Sequence, residues 1–172
     1  MTRTLRQGAA ACVDGAIGGG LATVAMSLVM LGARRVGLVG ELPPERMVAV
    51  ALDAADQRAR KGRARDALAV VLHVGFGVTT GALFGILYRR LHLPVPALPQ
   101  GVIYGSLVWL VSYMGWIPAL GLMPVATRDE PRRPVVMVLA HEVYGAVLGA
   151  LVGYHPWRWG APSPHQHASR ES

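Results

Sequence analysis

Four stretches of this chain, near residues 8–31, 67–88, 101–122 and 135–154, are each apolar and long enough to cross a bilayer. A helix rises about 1.5 Å per residue, so roughly 20 residues span the hydrocarbon. The expected fold class is therefore all-α: a polytopic membrane protein whose four transmembrane helices form two tandem hairpins, within a single four-span domain over residues 1–172. Composition points the same way, with 52% hydrophobic and only 16% charged residues, a balance unlike that of ordinary soluble domains. The first stretch follows Arg3 and Arg6 like a secretory signal, but it is too long, and "VMLGARR" offers no small-residue cleavage site. It reads as a retained helix. Cys12, the one cysteine, has no partner for an internal disulfide.

The connections sort the charge. In "GELPPERM" Pro43 and Pro44 end any continuation of the first span, and Glu45 suits the opening turn of a new helix. A surface helix over about residues 44–64 is expected, with an apolar stripe through Val48, Leu52 and Ala55. Its basic end at Arg58, Arg60, Lys61, Arg63 and Arg65 suits anionic lipid headgroups. A soluble helical loop with a solvated charge run is the alternative. "RRLHLPVPALPQ" carries three prolines and reads as a short extended turn, which makes its flanking spans antiparallel neighbours. In "MPVATRDEPRRP" the prolines delimit a polar loop with Arg128, Arg132 and Arg133 at the membrane surface.

The net charge of +7 sits in loops and tails rather than on one soluble face, so lipid is the expected partner and nucleic acid is not. The first and third loops hold most of the Lys and Arg, which by the positive-inside rule places both termini outside the cytoplasm. A short N-terminal segment holding Arg3 and Arg6 suits the opposite orientation, and the sequence leaves both open. "GYHPWRWG" reads as an interfacial anchor through Tyr154, Trp157 and Trp159. Residues 160–172 read as a disordered tail in which His165 and His167 are incidental.

Inside the spans one figure is written twice. "HVGFGVTTGALFG" sets His73, Gly77, Gly81 and Gly85 at four-residue spacing, and "HEVYGAVLGALVGY" does the same with His141, Gly145, Gly149 and Gly153. Residues four apart share one helix face, so each stretch presents a glycine groove headed by an imidazole. Gly15 and Gly19 in the first span and Gly101 and Gly105 in the third add pairs of their own. In lipid, small residues let backbones approach and supply the packing. A glycine-zipper bundle of two repeated hairpins follows, with His73 and His141 at similar depth in one leaflet. Pro118 deprives the Met114 carbonyl of its helical donor, so a kink or early end is expected in the third span.

Ionisable groups at membrane depth are costly and often functional. Three readings compete. Each histidine is neutral and bonds a carbonyl or hydroxyl across a helix interface; or His73, His141 and Glu142 line a path for protons or a small solute; or the two histidines hold a haem iron or, with a carboxylate, a metal ion. Asp14, toward the other leaflet, reads as an interface carboxylate, with a place on such a path as the alternative. No dense ligand motif occurs, so no metal or cofactor is assigned. No GxSxG, GxxxxGK, GxGxxG or CxxC signature points to an enzyme either. The favoured role is a structural or accessory membrane component. A small transporter or proton conductor, built as a homo-oligomer because four spans enclose little space, is the rival, and a redox protein is the third.

"ELPPE", "HVGFGVTTGALFG", "GVIYGSLVWLVSYMGWIPALGLMP" and "HEVYGAVLG" together resemble the YagU-like family of uncharacterised bacterial inner-membrane proteins over most of residues 10–154. The likeness rests on His73, Phe76, Gly77, Gly101, the Pro118–Pro124 segment with Gly121, and His141, Tyr144 and Gly145. It implies a multi-pass protein of the bacterial inner membrane and brings no reaction, cofactor or catalytic residue.

Overall fold

The computed structural model describes residues 3–54 and 62–154. Those residues form helices and turns without a strand: α1 (Arg3–Arg35), α2 (Pro43–Ala54), α3 (Arg63–Leu91), α4 (Ala97–Val111), a π-helical turn (Ser112–Trp116), α5 (Ile117–Ala119), a 3₁₀ turn (Ala126–Arg128) and α6 (Arg132–Tyr154). Four of the helical segments are long and apolar enough to cross a membrane: Arg6–Arg35, Arg63–Leu91, Ala97–Ala119 and Arg132–Tyr154.

Their outward faces carry Ile17, Leu21, Val24 and Leu28 on α1, Val70 and Leu83 on α3, Ile103 and Leu107 on α4, and Val135 and Leu139 on α6, all exposed. Apolar surface this continuous is a liability in water and the natural exterior of a protein dissolved in lipid. The fold is thus an all-α, four-span membrane bundle.

α1 packs along α3 and α4 along α6, giving two antiparallel hairpins, and the hairpins join through a seam between α1 and α6. By contrast α3 meets α4 along a short stretch only. The core follows the seam, with Ala22, Met26 and Met30 of α1 against Met137, Tyr144 and Leu148 of α6.

Local sequence explains the element boundaries. Pro43 and Pro44 open α2, where missing amide hydrogens cost nothing. Glu45 then returns to accept from the Leu42 amide (3.4 Å), the reverse half of a capping box, while Arg34 at the end of α1 pairs with it at 2.9 Å. Gly62 takes a left-handed φ of 77° immediately before α3. α2 is described as far as Ala54, and Arg63 and Arg65 stand in the first turn of α3 rather than at the basic end of the surface helix.

α2 does not simply lie on lipid with its stripe turned down. It packs on α3, and Val48 is buried at 4% exposure. At Pro118 the α4 segment loosens into the π turn, continues for the three residues of α5 and stops at Gly121, whose φ is 70°. The missing proline donor is the physical reason.

The third loop corrects one expectation. Arg133 does not face headgroups: it is 2% exposed, and its guanidinium bonds Asp129 (2.6 Å) and reaches Glu130 (3.3 Å). Asp129 also accepts from the Tyr113 hydroxyl. A carboxylate four residues ahead turns the arginine inward and ties the start of α6 to the π turn. Arg58, Arg60, Lys61, Trp157, Trp159, His165, His167 and the 160–172 tail lie outside the described residues.

Candidate intramembrane binding site

Because α3 and α4 diverge while α1 and α6 hold the hairpins together, a cavity of about 690 Å³ opens in the half of the bundle nearest the first and third loops. Met26 and Met30 wall it from α1, His73 and Thr80 from α3, Ser112, Tyr113 and Trp116 from the π turn, and Met137, His141 and Tyr144 from α6. Met47 and Val48 of α2 roof it. Gly75, Phe76 and Thr79 reach the exposed side of α3, so the cavity opens laterally toward lipid. Phe76 and Trp116, both lining the cavity, form a tilted ring pair with centroids 6.0 Å apart.

A polar tie fixes the register of the two hairpins. The Tyr144 hydroxyl donates to the Gly77 carbonyl (2.8 Å) and lies 2.9 Å from the Thr80 hydroxyl, while Tyr104 donates to the Thr80 carbonyl (2.7 Å). Three helices meet at this node. α3 and α6 run in the same direction, and each imidazole lies about one turn ahead of the node, His73 before Gly77 and His141 before Tyr144. At about 1.5 Å per residue the two stand within about 2 Å of the same level. Both rings line the cavity.

Among the described residues neither histidine makes the cross-helix bond of the first of the three readings. His141 Nδ1 sits 2.7 Å from the Met137 carbonyl, one turn back on its own helix. A carbonyl only accepts, so Nδ1 carries the hydrogen and a neutral ring keeps an acceptor at Nε2. His73 Nε2 is buried with no hydrogen-bond partner among the described residues.

The hydroxyls around the cavity have their hydrogens engaged: Thr23 on Gly19 (2.7 Å), Thr79 on Gly75 (2.8 Å), Thr80 on Phe76 (2.9 Å), Ser112 on Val108 and Tyr113 on Asp129. Each offers the interior lone pairs alone. Glu142 lies on α6 but does not line the cavity. Asp14 lies toward the other end of α1, partly buried, with an unpartnered Oδ1. Among the described residues no group of three or more His, Cys, Asp or Glu is placed to hold a metal ion.

Below and beside the cavity the glycines face one another. A Cβ at Gly15 or Gly19 would overlap the carbonyl of Gly81 or Gly77, and one at Gly85 would overlap that of Ala11. In the second hairpin Gly101 and Gly145 oppose each other, a Cβ at Gly101 reaching 2.7 Å from the Gly149 Cα, while Gly105 meets the His141 carbonyl and Gly153 the Ala97 side chain.

A family model covers residues 9–158 of this arrangement. The chain belongs to DUF6789, a family of unknown function. No curated protein and no solved structure matches, and the comparisons do not name the YagU-like family. In this DUF6789 member, motif spacing picks out the histidines and glycines but not Thr80, the roof formed by α2, or the Asp129–Arg133 pair. "VTTG" and "RDEPRR" contain the signal, a hydroxyl pair one turn from a glycine face and acids beside a basic run. Only the tertiary fold says which member of each turns inward.

Proposed function

We propose that this chain is a multi-pass protein of the bacterial inner membrane that binds a hydrophobic small molecule in the cavity between its hairpins. In this role it is an accessory binding component rather than an enzyme. The observation that carries the reading is the cavity itself: about 690 Å³, walled by four helical segments and roofed by a fifth. That size is ordinary for a small-molecule site, and mostly apolar walls with a few converging polar groups are the usual form of one. The glycine faces serve as the packing device that makes the two hairpins rigid, and the recurrence of the figure in both supports an internal repeat. The YagU-like resemblance in the quoted motifs supports the bacterial inner membrane.

The test uses Gly75, which lines the cavity and has nothing within 4 Å of an added Cβ. Gly75→Leu adds a bulky side chain at the lateral opening, where its Cβ meets no neighbour. Native mass spectrometry of protein purified in mild detergent should find a hydrophobic adduct on the wild type and none on folded Gly75→Leu; adducts on both in equal measure would refute the reading.

Asp14 favours a second reading, conduction of protons or a small solute through His73, His141 and Glu142, because an unpartnered carboxylate oxygen in a membrane span is expensive to keep. Proton flux into liposomes that disappears in Asp14→Asn would establish it. Coordination of haem iron by His73 and His141 would show as a Soret band in the purified protein.

A further inference from the structure

We infer that the occupant of this cavity is a hydrogen-bond donor: a hydrophobic aromatic alcohol of hydroquinone type, bound through its hydroxyl to His141 Nε2. This rests on the cavity reading above and specifies its ligand. The positions of the hydrogens decide it. Thr23, Thr79, Thr80, Ser112, Tyr113 and Tyr144 all donate to protein acceptors, and His141 donates its Nδ1–H to Met137. The wall is left with lone pairs. Among the described lining side chains, only the Trp116 indole at the rim and one nitrogen of His73 remain as donors.

An occupant that offers only acceptors, such as a quinone carbonyl or an ester, leaves His141 Nε2 buried and unpaired. A hydroxyl satisfies it. The walls favour an aromatic body. Phe76 and Trp116 form a ring pair on the lining, and the thioethers of Met26, Met30, Met47 and Met137 line the interior, where sulfur packs favourably on ring edges. Binding alone is inferred, with no electron transfer.

Oxidised and reduced forms of one molecule make the test sharp, because decylubiquinol and decylubiquinone share a body and differ in donors. Calorimetric titration of the protein in lipid nanodiscs under nitrogen, with empty nanodiscs as the blank for partition, should give about tenfold tighter binding of the quinol, the worth of roughly one buried hydrogen bond. The dimethyl ether of the quinol should bind like the quinone. His141→Phe should remove the preference, and His141→Gln, which keeps an acceptor, should retain part of it.

Equal affinity for quinol, quinone and ether, or farnesol binding as tightly as the quinol, overturns the inference, and the wild-type comparison decides this even if a His141 variant fails to fold. Gly75→Leu separates the two levels. Equal binding of both redox forms that is lost in Gly75→Leu leaves the cavity reading intact and removes the donor requirement. No binding of any probe, or binding that Gly75→Leu leaves unchanged, removes both.

Discussion

Two glycines on α3 lie less than two turns apart and should respond to the same substitution in opposite directions. At Gly81 a Cβ would stand 2.5 Å from the Gly19 Cα and 2.9 Å from its nitrogen, whereas ordinary contact begins at 3.4 Å. Backbone cannot rotate aside as a side chain can, so α1 and α3 must part by the difference, about 0.9 Å. A gap of that size forfeits about a quarter to a half of the attraction between facing atoms, and overpacking of this kind costs about 1–3 kcal/mol.

At Gly75 nothing lies within 4 Å of the added atom. There alanine retains only its better helix propensity, up to about 1 kcal/mol in its favour. Unfolding of the two variants in mixed micelles, followed by far-ultraviolet circular dichroism against denaturant, should place Gly81→Ala about 1–3 kcal/mol below the wild type and Gly75→Ala level with it or slightly above. If Gly81→Ala matches Gly75→Ala, the close approach of α1 and α3 is not what holds the first hairpin, and the reasoning fails.

Asp129→Asn leaves the buried Arg133 guanidinium with only the exposed Glu130 carboxylate to pair with and should cost up to about 3–5 kcal/mol in the same assay, while replacing both Asp129 and Arg133 by apolar residues of similar volume should cost much less. Tyr144→Phe removes the donor to Gly77 and the contact with Thr80; hydrogen bonds between membrane helices are worth about 0.6 kcal/mol each on average, so a loss of about 1 kcal/mol is expected. Glu45→Gln weakens a pair whose arginine side chain is 48% exposed and should change stability by less than about 1 kcal/mol. Gly121→Ala forces a side chain into φ 70° and should cost about 1 kcal/mol in thermal unfolding.

What the sequence discloses and what it hides divide along a physical line. Long apolar runs and glycines at four-residue spacing are local and periodic, so the four spans are legible from residue order alone. Pro118 likewise announces a break in the third span, because a missing donor acts within its own helix, but not that the break takes the form of a π turn. The pairing of α3 with its neighbours is only partly so: a short proline-bound turn brings α3 and α4 together at one end, yet α3 packs mainly on α1 and α4 on α6.

The inward turn of Arg133 is not legible. Burial of a guanidinium depends on a carboxylate one turn away and on a tyrosine of the preceding span, and a run of arginines reads equally well as a headgroup-facing surface. Val48 is hidden for a related reason: an amphipathic stripe fits lipid and a protein groove alike. The two histidines stand out by spacing, but the bond of His141 to its own helix is decided by side-chain rotation, which no periodicity encodes. Thr80 is invisible because a threonine in an apolar helix usually bonds back to its own carbonyls, as this one also does.

Two separate hairpins bring His73 and His141 into one cavity at one level, and the proposed site depends on that meeting. The most direct test places cysteines at both positions in a Cys12→Ser background and treats membranes with a short bismaleimide, with Leu83→Cys in place of His73→Cys as the control. Rapid cross-linking within single chains for the His73→Cys/His141→Cys pair, and not for the control, is the expected result. Failure to cross-link, or cross-linking only between chains, would mean that the imidazoles do not share a cavity and would contradict the account at its centre.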